Sequence, residues 1–227
     1  MRIGGLQKLS LIDYPGLVAA EVFTQGCNFR CPFCHNRHLV LPEYYEKPLS
    51  VEDILRFLAE RRGKLHGLVI SGGEPTLQEG LLPFMDEVKR LGYAVKLDTN
   101  GSRPQVLKRI LEKGLVDFIA MDVKGPWHLY DTLAGVAVDK QAVQESMALI
   151  MASGREHIFR TTVVKPYLRR DDLRQTADMA RSGQRYLLQE FVPVETVLDQ
   201  TLMDRGHYTS QEFRQLQKEF QREAVMV

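Results

Sequence analysis

The sequence is poor in features that would assign it to several common classes of protein. It has only three cysteines in 227 residues, an odd number that does not suit a disulfide framework. No apolar run approaches the roughly 20 residues that span a bilayer, and the first residues lack the pattern of a signal peptide. The net charge is +1, and the lysines and arginines are dispersed along the chain. We therefore expect a cytoplasmic protein with no membrane and no nucleic-acid partner.

Short apolar, β-branched runs alternate with longer segments whose apolar residues recur at helical spacing. The predicted strands cover 18–24, 67–71, 93–98, 116–123, 157–164 and 185–192. The predicted helices lie around 51–58, 81–88, 106–111 and 143–151, with a last amphipathic helix from Ser210 to about Glu223. A further helix is expected to start near Arg170.

Six βα units in series predict an α/β fold with parallel strands and external helices. A doubly wound sheet also fits this order. However, unusual polar residues recur at the carboxyl ends of the predicted strands. This placement is typical of the active sites of (β/α) barrels. We therefore predict a partial (β/α)6 TIM-like barrel in one domain over 1–227, with an N-terminal segment 1–17, a barrel core 18–192 and a C-terminal extension 193–227.

All three cysteines fall within eight residues, as Cys27-x3-Cys31-x2-Cys34. In a reducing compartment such a cluster indicates metal or redox chemistry. One interpretation is a closed zinc site with His35, but adjacent Cys34 and His35 have difficulty reaching one tetrahedral ion. A second is a thioredoxin-like dithiol of Cys31 and Cys34, which leaves Cys27 without a role.

A third interpretation is a 4Fe–4S cube, for which soft thiolates are well-matched ligands. Three cysteines hold three irons, and the fourth iron needs another ligand because the chain has no fourth cysteine. Such an open iron can bind a substrate. An electron carrier normally closes its cluster with four protein ligands, which argues against that role here. An Fe–S electron-transfer or sensor module is nevertheless the non-enzymatic alternative.

The C-x3-C-x2-C spacing after the first predicted strand, with Phe33 before the last cysteine, resembles the signature of the radical SAM superfamily. The resemblance implies that the open iron binds S-adenosylmethionine (SAM) through its amino and carboxylate groups. Electron transfer then cleaves SAM to methionine and a 5′-deoxyadenosyl radical. The chain would accordingly be a radical SAM oxidoreductase whose catalytic cysteines are Cys27, Cys31 and Cys34.

Other segments at predicted strand ends resemble the SAM site of the same superfamily. The run Ser71-Gly-Gly-Glu-Pro75, which alone also fits an ordinary tight turn, resembles the motif whose backbone meets the SAM amino group. Lys124 would pair with the SAM carboxylate. The resemblance assigns cofactor contacts to Phe33, His35, Asn36, Gly72, Gly73, Glu74, Asp98, Asp122, Val123, Lys124 and Val164.

The resemblance further implies a monovalent cation beside SAM. Asp98, Thr99 and Asp122 match positions associated with such an ion in pyruvate formate-lyase activating enzyme and its relatives. The sequence departs from that group in one respect. Those enzymes carry a histidine near the last strand that contacts SAM, whereas residues 188–193 read LQEFVP.

The segment Ser10–Gly16, SLIDYPG, together with Gln25-Gly-Cys27, resembles the glycyl-radical-enzyme activases, specifically those of anaerobic ribonucleoside-triphosphate reductase. The resemblance implies hydrogen abstraction from a glycine Cα of a partner, such as anaerobic ribonucleotide reductase, with flavodoxin or ferredoxin as the reductant. The alternative enzyme is a small-molecule radical SAM catalyst similar to 7-carboxy-7-deazaguanine synthase.

Overall fold

The computed structural model describes Met1–Arg222, and its regular elements alternate along the chain as the sequence predicts. The strands β1 to β7 are Ile3–Ser10, Ala19–Thr24, Gly67–Gly72, Ala94–Thr99, Phe118–Asp122, Glu156–Val163 and Tyr186–Glu190. The helices α1 to α8 are Arg37–Val40, Val51–Glu60, Leu81–Arg90, Pro104–Glu112, Tyr130–Ala134, Lys140–Ala152, Arg170–Met179 and Ser210–Phe220. Glu223, the predicted end of the last helix, lies outside the described residues.

The strands are hydrogen-bonded in their sequence order, from β1 to β7. The pairs β2–β3, β3–β4 and β6–β7 are parallel. A doubly wound sheet reverses its strand order at a switch point, and this sheet has no such reversal among the described strands. The order is that of a partial (β/α) barrel.

The N-terminal segment contains a strand that the sequence pattern did not predict. β1 pairs with β2 in the antiparallel direction, with Ile3 opposite Thr24 and Ser10 opposite Ala19. Two register irregularities interrupt this pairing. The segment is rich in glycine and polar residues, and so it lacks the apolar alternation that marks a strand. The predicted sheet contained only parallel strands, whereas the observed sheet has an additional antiparallel strand, β1, at its edge.

The predicted strands form because their apolar runs are buried on both faces. Leu68, Val69 and Ile70 are consecutive residues of β3, and none of their side chains is exposed. Successive side chains of a strand point to opposite faces, so neither face of β3 is open to water. Continuous rather than alternating apolar runs are typical of parallel sheets covered by helices.

Individual side chains explain where two of the helices begin. The Ser50 hydroxyl caps α2 by accepting a hydrogen bond from the Asp53 amide, and Ile54 and Leu58 form the buried face of the helix. Pro104 is the first residue of α4, where its missing N–H leaves no internal bond unmade.

The chain forms two compact units. The first comprises 1–28, 38–99 and 103–119, and the second comprises 29–37, 100–102 and the chain from Ala120 onward. The boundaries 1–17, 18–192 and 193–227 of a single domain stay a prediction. Between Met1 and Arg222, no helix combines the length and apolar character needed to cross a membrane.

Within the first unit, Tyr14 fixes the end of the SLIDYPG segment. Only 5% of its surface is exposed, and its ring lies 6.0 Å from that of Phe118. A Cβ atom on Gly67 would lie 2.8 Å from the Tyr14 ring, so only glycine allows this close contact. The preceding Leu11 and Ile12 remain exposed. One residue of the segment is therefore a core residue, and its apolar neighbours are not.

Tyr14→Ala should lower the free energy of unfolding by about 3 kcal/mol, because it removes a buried aromatic ring and leaves a cavity. The measurement is urea unfolding monitored by circular dichroism. Leu11→Ala, in the same segment but 71% exposed, is the control and should change stability by less than about 0.5 kcal/mol. Equal effects of the two substitutions would contradict the structural role of Tyr14.

Candidate functional site

None of the three cysteines forms a disulfide. Cys27 belongs to the first unit, whereas Cys31 and Cys34 belong to the second. Cys31 is 7% exposed, and the Cys34 amide donates a hydrogen bond of 2.9 Å to the Cys31 carbonyl. Phe33, between them, is buried. Cys31 and Cys34 therefore lie on one tight turn.

The backbone of this cysteine loop is held by two distant segments of the second unit. On one side, the Arg30 amide donates to the carbonyl of Ala134, the last residue of α5, at 2.7 Å. Gly135 ends that helix in the left-handed conformation, and a Cβ there would lie 2.0 Å from the Arg30 carbonyl oxygen. Glycine is therefore required where α5 meets the loop.

On the other side, the chain after β7 supplies two donors to the loop. The Leu198 amide donates to the Cys34 carbonyl at 3.0 Å, and the Asp199 amide donates to the Pro32 carbonyl at 2.9 Å. Backbone carbonyls need such partners when they are removed from water. The C-terminal extension thus holds the loop that carries two of the cysteines.

Burial dominates the acid–base properties of the two thiols in this loop. It raises the pKa of Cys31 to about 11 and also raises the pKa of Cys34. The Asn36 backbone partly opposes the effect at Cys34. Without a metal both thiols are therefore protonated near neutral pH, and their binding of a metal must release protons.

Lys124 and Arg160 share one carboxylate, that of Asp122. The Lys124 ammonium lies 3.1 Å from Asp122 Oδ2, and the Arg160 guanidinium lies 2.9 Å from Oδ1. Burial alone raises the pKa of Asp122, but Arg160 and Lys124 outweigh it and hold the pKa at about 2. Asp122 therefore stays ionised between two cations, and a buried lysine such as Lys124 is a group that can bind an anionic ligand.

Other residues predicted in the second unit have clear positions. The His35 imidazole stacks on Phe191, with ring centroids 5.6 Å apart, and its Nε2 atom has no hydrogen-bond partner within Met1–Arg222. Phe191 directly follows β7, in the region that lacks the expected histidine. Val123 and Val164 are completely buried.

In the first unit, the glycine pair packs its backbone against the residues before Cys27. The Gly73 amide donates to Thr24, and the Glu74 amide donates to Gly26, both at 2.8 Å. A Cβ on Gly73 would lie 2.1 Å from the Gly26 carbonyl oxygen and 3.3 Å from the Cys27 amide. The structure therefore brings the Gly-Gly-Glu run and Cys27 together, as the sequence predicts.

Glu74 is completely buried, and its Oε1 atom accepts three hydrogen bonds. The donors are the Thr76 amide at 3.0 Å, the Thr76 hydroxyl, and the Thr99 hydroxyl at 2.8 Å. All three donors are neutral groups, and together they fix the orientation of the carboxyl group. Its predicted role as partner of an ammonium group stays a prediction.

The predicted cation ligands already have partners in this structure. The Asp98 carboxylate pairs with Lys96, the Thr99 hydroxyl donates to Glu74, and Asp122 pairs with two cations. Over Met1–Arg222 no three Cys, His, Asp or Glu side chains converge on the position of one metal ion. The monovalent cation also stays a prediction.

The sequence analysis missed a buried acid, Glu21. In the parallel register Glu21 is opposite Val69, and Val69 is opposite Lys96, so the three lie in one row across β2, β3 and β4. Asp13 also lies close to Glu21. Burial, followed by Asp13 and Asp98, raises the pKa of Glu21 to about 8, and Lys96 opposes the shift. Only the strand register could have revealed this group.

Comparison with known proteins gives a consistent family. Residues 22–180 match the family model described as the radical SAM superfamily. A protein of Methanocaldococcus jannaschii, provisionally named a glycyl-radical enzyme activating enzyme, is 32% identical over 199 residues, covering 84% of this chain and 80% of that protein. The 7-carboxy-7-deazaguanine synthase of Hyperthermus butylicus is 40% identical, but over only 40% of this chain and 38% of its own length.

A solved structure supports the same fold. Streptococcus suis SuiB, bound to its precursor peptide SuiA, superposes with a TM-score of 0.69 at 16% identity. The match covers 86% of this chain and 43% of SuiB, so this chain spans less than half of that protein. At this identity the likeness shows the fold alone, and it confirms the predicted partial barrel.

Glu21→Gln should change how stability depends on pH. Between about pH 4.5 and 8 the folded state holds a proton that the unfolded state releases, so stability falls as pH rises. The contribution is at most about 1.4 kcal/mol per pH unit. The variant lacks this titration, so its free energy of unfolding should fall less over that range in urea experiments. Exposed Glu60→Gln is the control, and a Glu21→Gln curve parallel to the wild type would contradict the assignment.

Proposed function

The chain belongs to the radical SAM superfamily, and we propose that it installs a glycyl radical on a partner enzyme. Superfamily membership identifies its cofactors as a 4Fe–4S cluster and SAM. The donor set of this chain fits the cluster. It provides three cysteines that form no disulfide and no fourth cysteine, which would leave one iron for SAM.

The residues of the second unit have distinct roles in this proposal. Cys31 and Cys34 would hold two irons on a loop whose backbone is fixed on both sides. Lys124, whose ammonium lies 3.1 Å from Asp122, would bind the SAM carboxylate. Arg160 stays on Asp122 and keeps that carboxylate charged.

In the first unit, Cys27 would hold a third iron, and the buried Glu74 carboxyl group would bind the SAM ammonium. The donors on Glu74 Oε1 keep that group in place. When bound, the cluster supplies one electron to SAM, which yields methionine and a 5′-deoxyadenosyl radical that takes a hydrogen atom from the target. A glycine Cα suits this reaction because no side chain obstructs its approach.

The observation that carries this proposal is the similarity to a glycyl-radical enzyme activating enzyme along most of both chains. The similarity to 7-carboxy-7-deazaguanine synthase covers less than half of either chain. That similarity nevertheless supports a small-molecule reaction as the second candidate. We propose anaerobic ribonucleotide reductase as the partner, flavodoxin or ferredoxin as the reductant, and the cytoplasm as the location.

Lys124→Met should weaken SAM binding about tenfold, because it removes a charge-assisted hydrogen bond worth about 1.5 kcal/mol. Iron and sulfide content should stay near the wild-type value. The measurement is anaerobic equilibrium binding of SAM to the reconstituted protein. Lys140→Met is the matched control, since Lys140 pairs with Asp131 at 2.8 Å on the surface. Equal SAM affinity in both variants would remove Lys124 from the site.

Incubation of the reduced protein with SAM and anaerobic ribonucleotide reductase should produce a glycine-centred doublet in the electron paramagnetic resonance spectrum. Substitution of the target glycine of the reductase by alanine should abolish the doublet. Cys31→Ser should abolish both the doublet and the release of 5′-deoxyadenosine, because one iron loses its ligand.

Two other results would contradict this proposal. SAM cleavage without a doublet, together with turnover of a deazapurine precursor, would establish the small-molecule reaction. Reduction of the cluster without any cleavage of SAM would indicate an electron-transfer or sensor module.

A further inference from the structure

Tyr130, the first residue of α5, has a hydroxyl that lacks a hydrogen bond of normal geometry among the described residues. The side chain is completely buried, and its ring stacks on Trp127 with centroids 5.3 Å apart. No atom of Met1–Arg222 forms a hydrogen bond of normal geometry with the hydroxyl, although the Lys124 backbone lies near it. A buried hydroxyl without a partner is costly, so such groups are rare unless a ligand completes them.

The surroundings of Tyr130 indicate what that ligand is. Its hydroxyl interacts electrostatically with both Lys124 and Cys31. Its helix is also attached to the cysteine loop, through the hydrogen bond from Arg30 to Ala134 and the close contact at Gly135. The hydroxyl therefore lies in the surroundings of Cys31, and not in an unrelated part of the core.

The nature of the sulfur explains why the bond is not made in the metal-free protein. A neutral thiol is a weak hydrogen-bond acceptor. Sulfurs of an iron–sulfur cluster carry negative charge and accept hydrogen bonds, and these bonds contribute to the reduction potential. The burial of Tyr130 raises its pKa, so the hydroxyl keeps the proton that it would donate.

We propose that the Tyr130 hydroxyl donates a hydrogen bond to a cluster sulfur at the Cys31 corner and thereby makes the cluster easier to reduce. A donor at sulfur withdraws negative charge and favours the extra electron. The inference goes beyond the proposed function, because it concerns the cluster and holds whichever substrate receives the radical. It assigns Tyr130 as a positioning residue for electron transfer.

Tyr130→Phe tests this inference because it removes the hydroxyl and keeps the ring. In the reconstituted protein, the equilibrium constant for cluster reduction should fall about tenfold, a shift of about 59 mV to lower potential for one electron. The measurement is a redox titration followed by electron paramagnetic resonance, with no partner enzyme present. In the metal-free protein the variant should unfold at the same or a higher temperature, because no hydrogen bond is lost.

Tyr186→Phe is the matched control. Tyr186 is equally buried in the same unit, but its hydroxyl donates to Thr161 Oγ1 at 3.0 Å. This control should lose thermal stability and keep the wild-type potential. An unchanged potential in Tyr130→Phe would overturn the inference, as would weaker SAM binding at an unchanged potential, which would make the SAM carboxylate the acceptor. Failure to activate a reductase would instead concern the proposed function.

Discussion

The backbone hydrogen bonds of the cysteine loop are the constraint on which the second unit's part of the site depends. Thiols bind a metal more tightly when their loop keeps its shape without it, because an ordered loop spares the entropy of fixing it during binding. Here α5 binds the loop at Arg30, and the chain at Leu198 and Asp199 binds it at Pro32 and Cys34. Iron–sulfur chemistry therefore depends on residues that bear no sulfur.

The carboxyl groups of Asp122 and Glu74 have different kinds of partner. Asp122 is held by two cations, and its pKa of about 2 keeps it ionised over the physiological pH range. Glu74 accepts hydrogen bonds from neutral threonine groups. The two carboxyl groups therefore lie in different environments.

Local patterns predicted six of the seven strands and the main helices, because each depends on residues close in sequence. The cysteine site stays a prediction. β1 escaped prediction because its segment has two glycines and few apolar residues, and its pairing with β2 supplies the order. Glu21 and Tyr130 escaped for a different reason. A glutamate in a strand and a tyrosine in a helix are common, and only register and packing reveal that these two are buried next to charged or metal-binding groups.

The hydrogen bonds from Leu198 and Asp199 also have a consequence for biosynthesis. The cysteines leave the ribosome early, but the amides that bind the carbonyls of Pro32 and Cys34 follow much later in the chain. Until those residues emerge, the loop lacks half of its support, and a nascent chain presents thiols without the fixed geometry around them. The site is therefore finished only after the C-terminal segment has been synthesised, and metal insertion into a finished site follows that step.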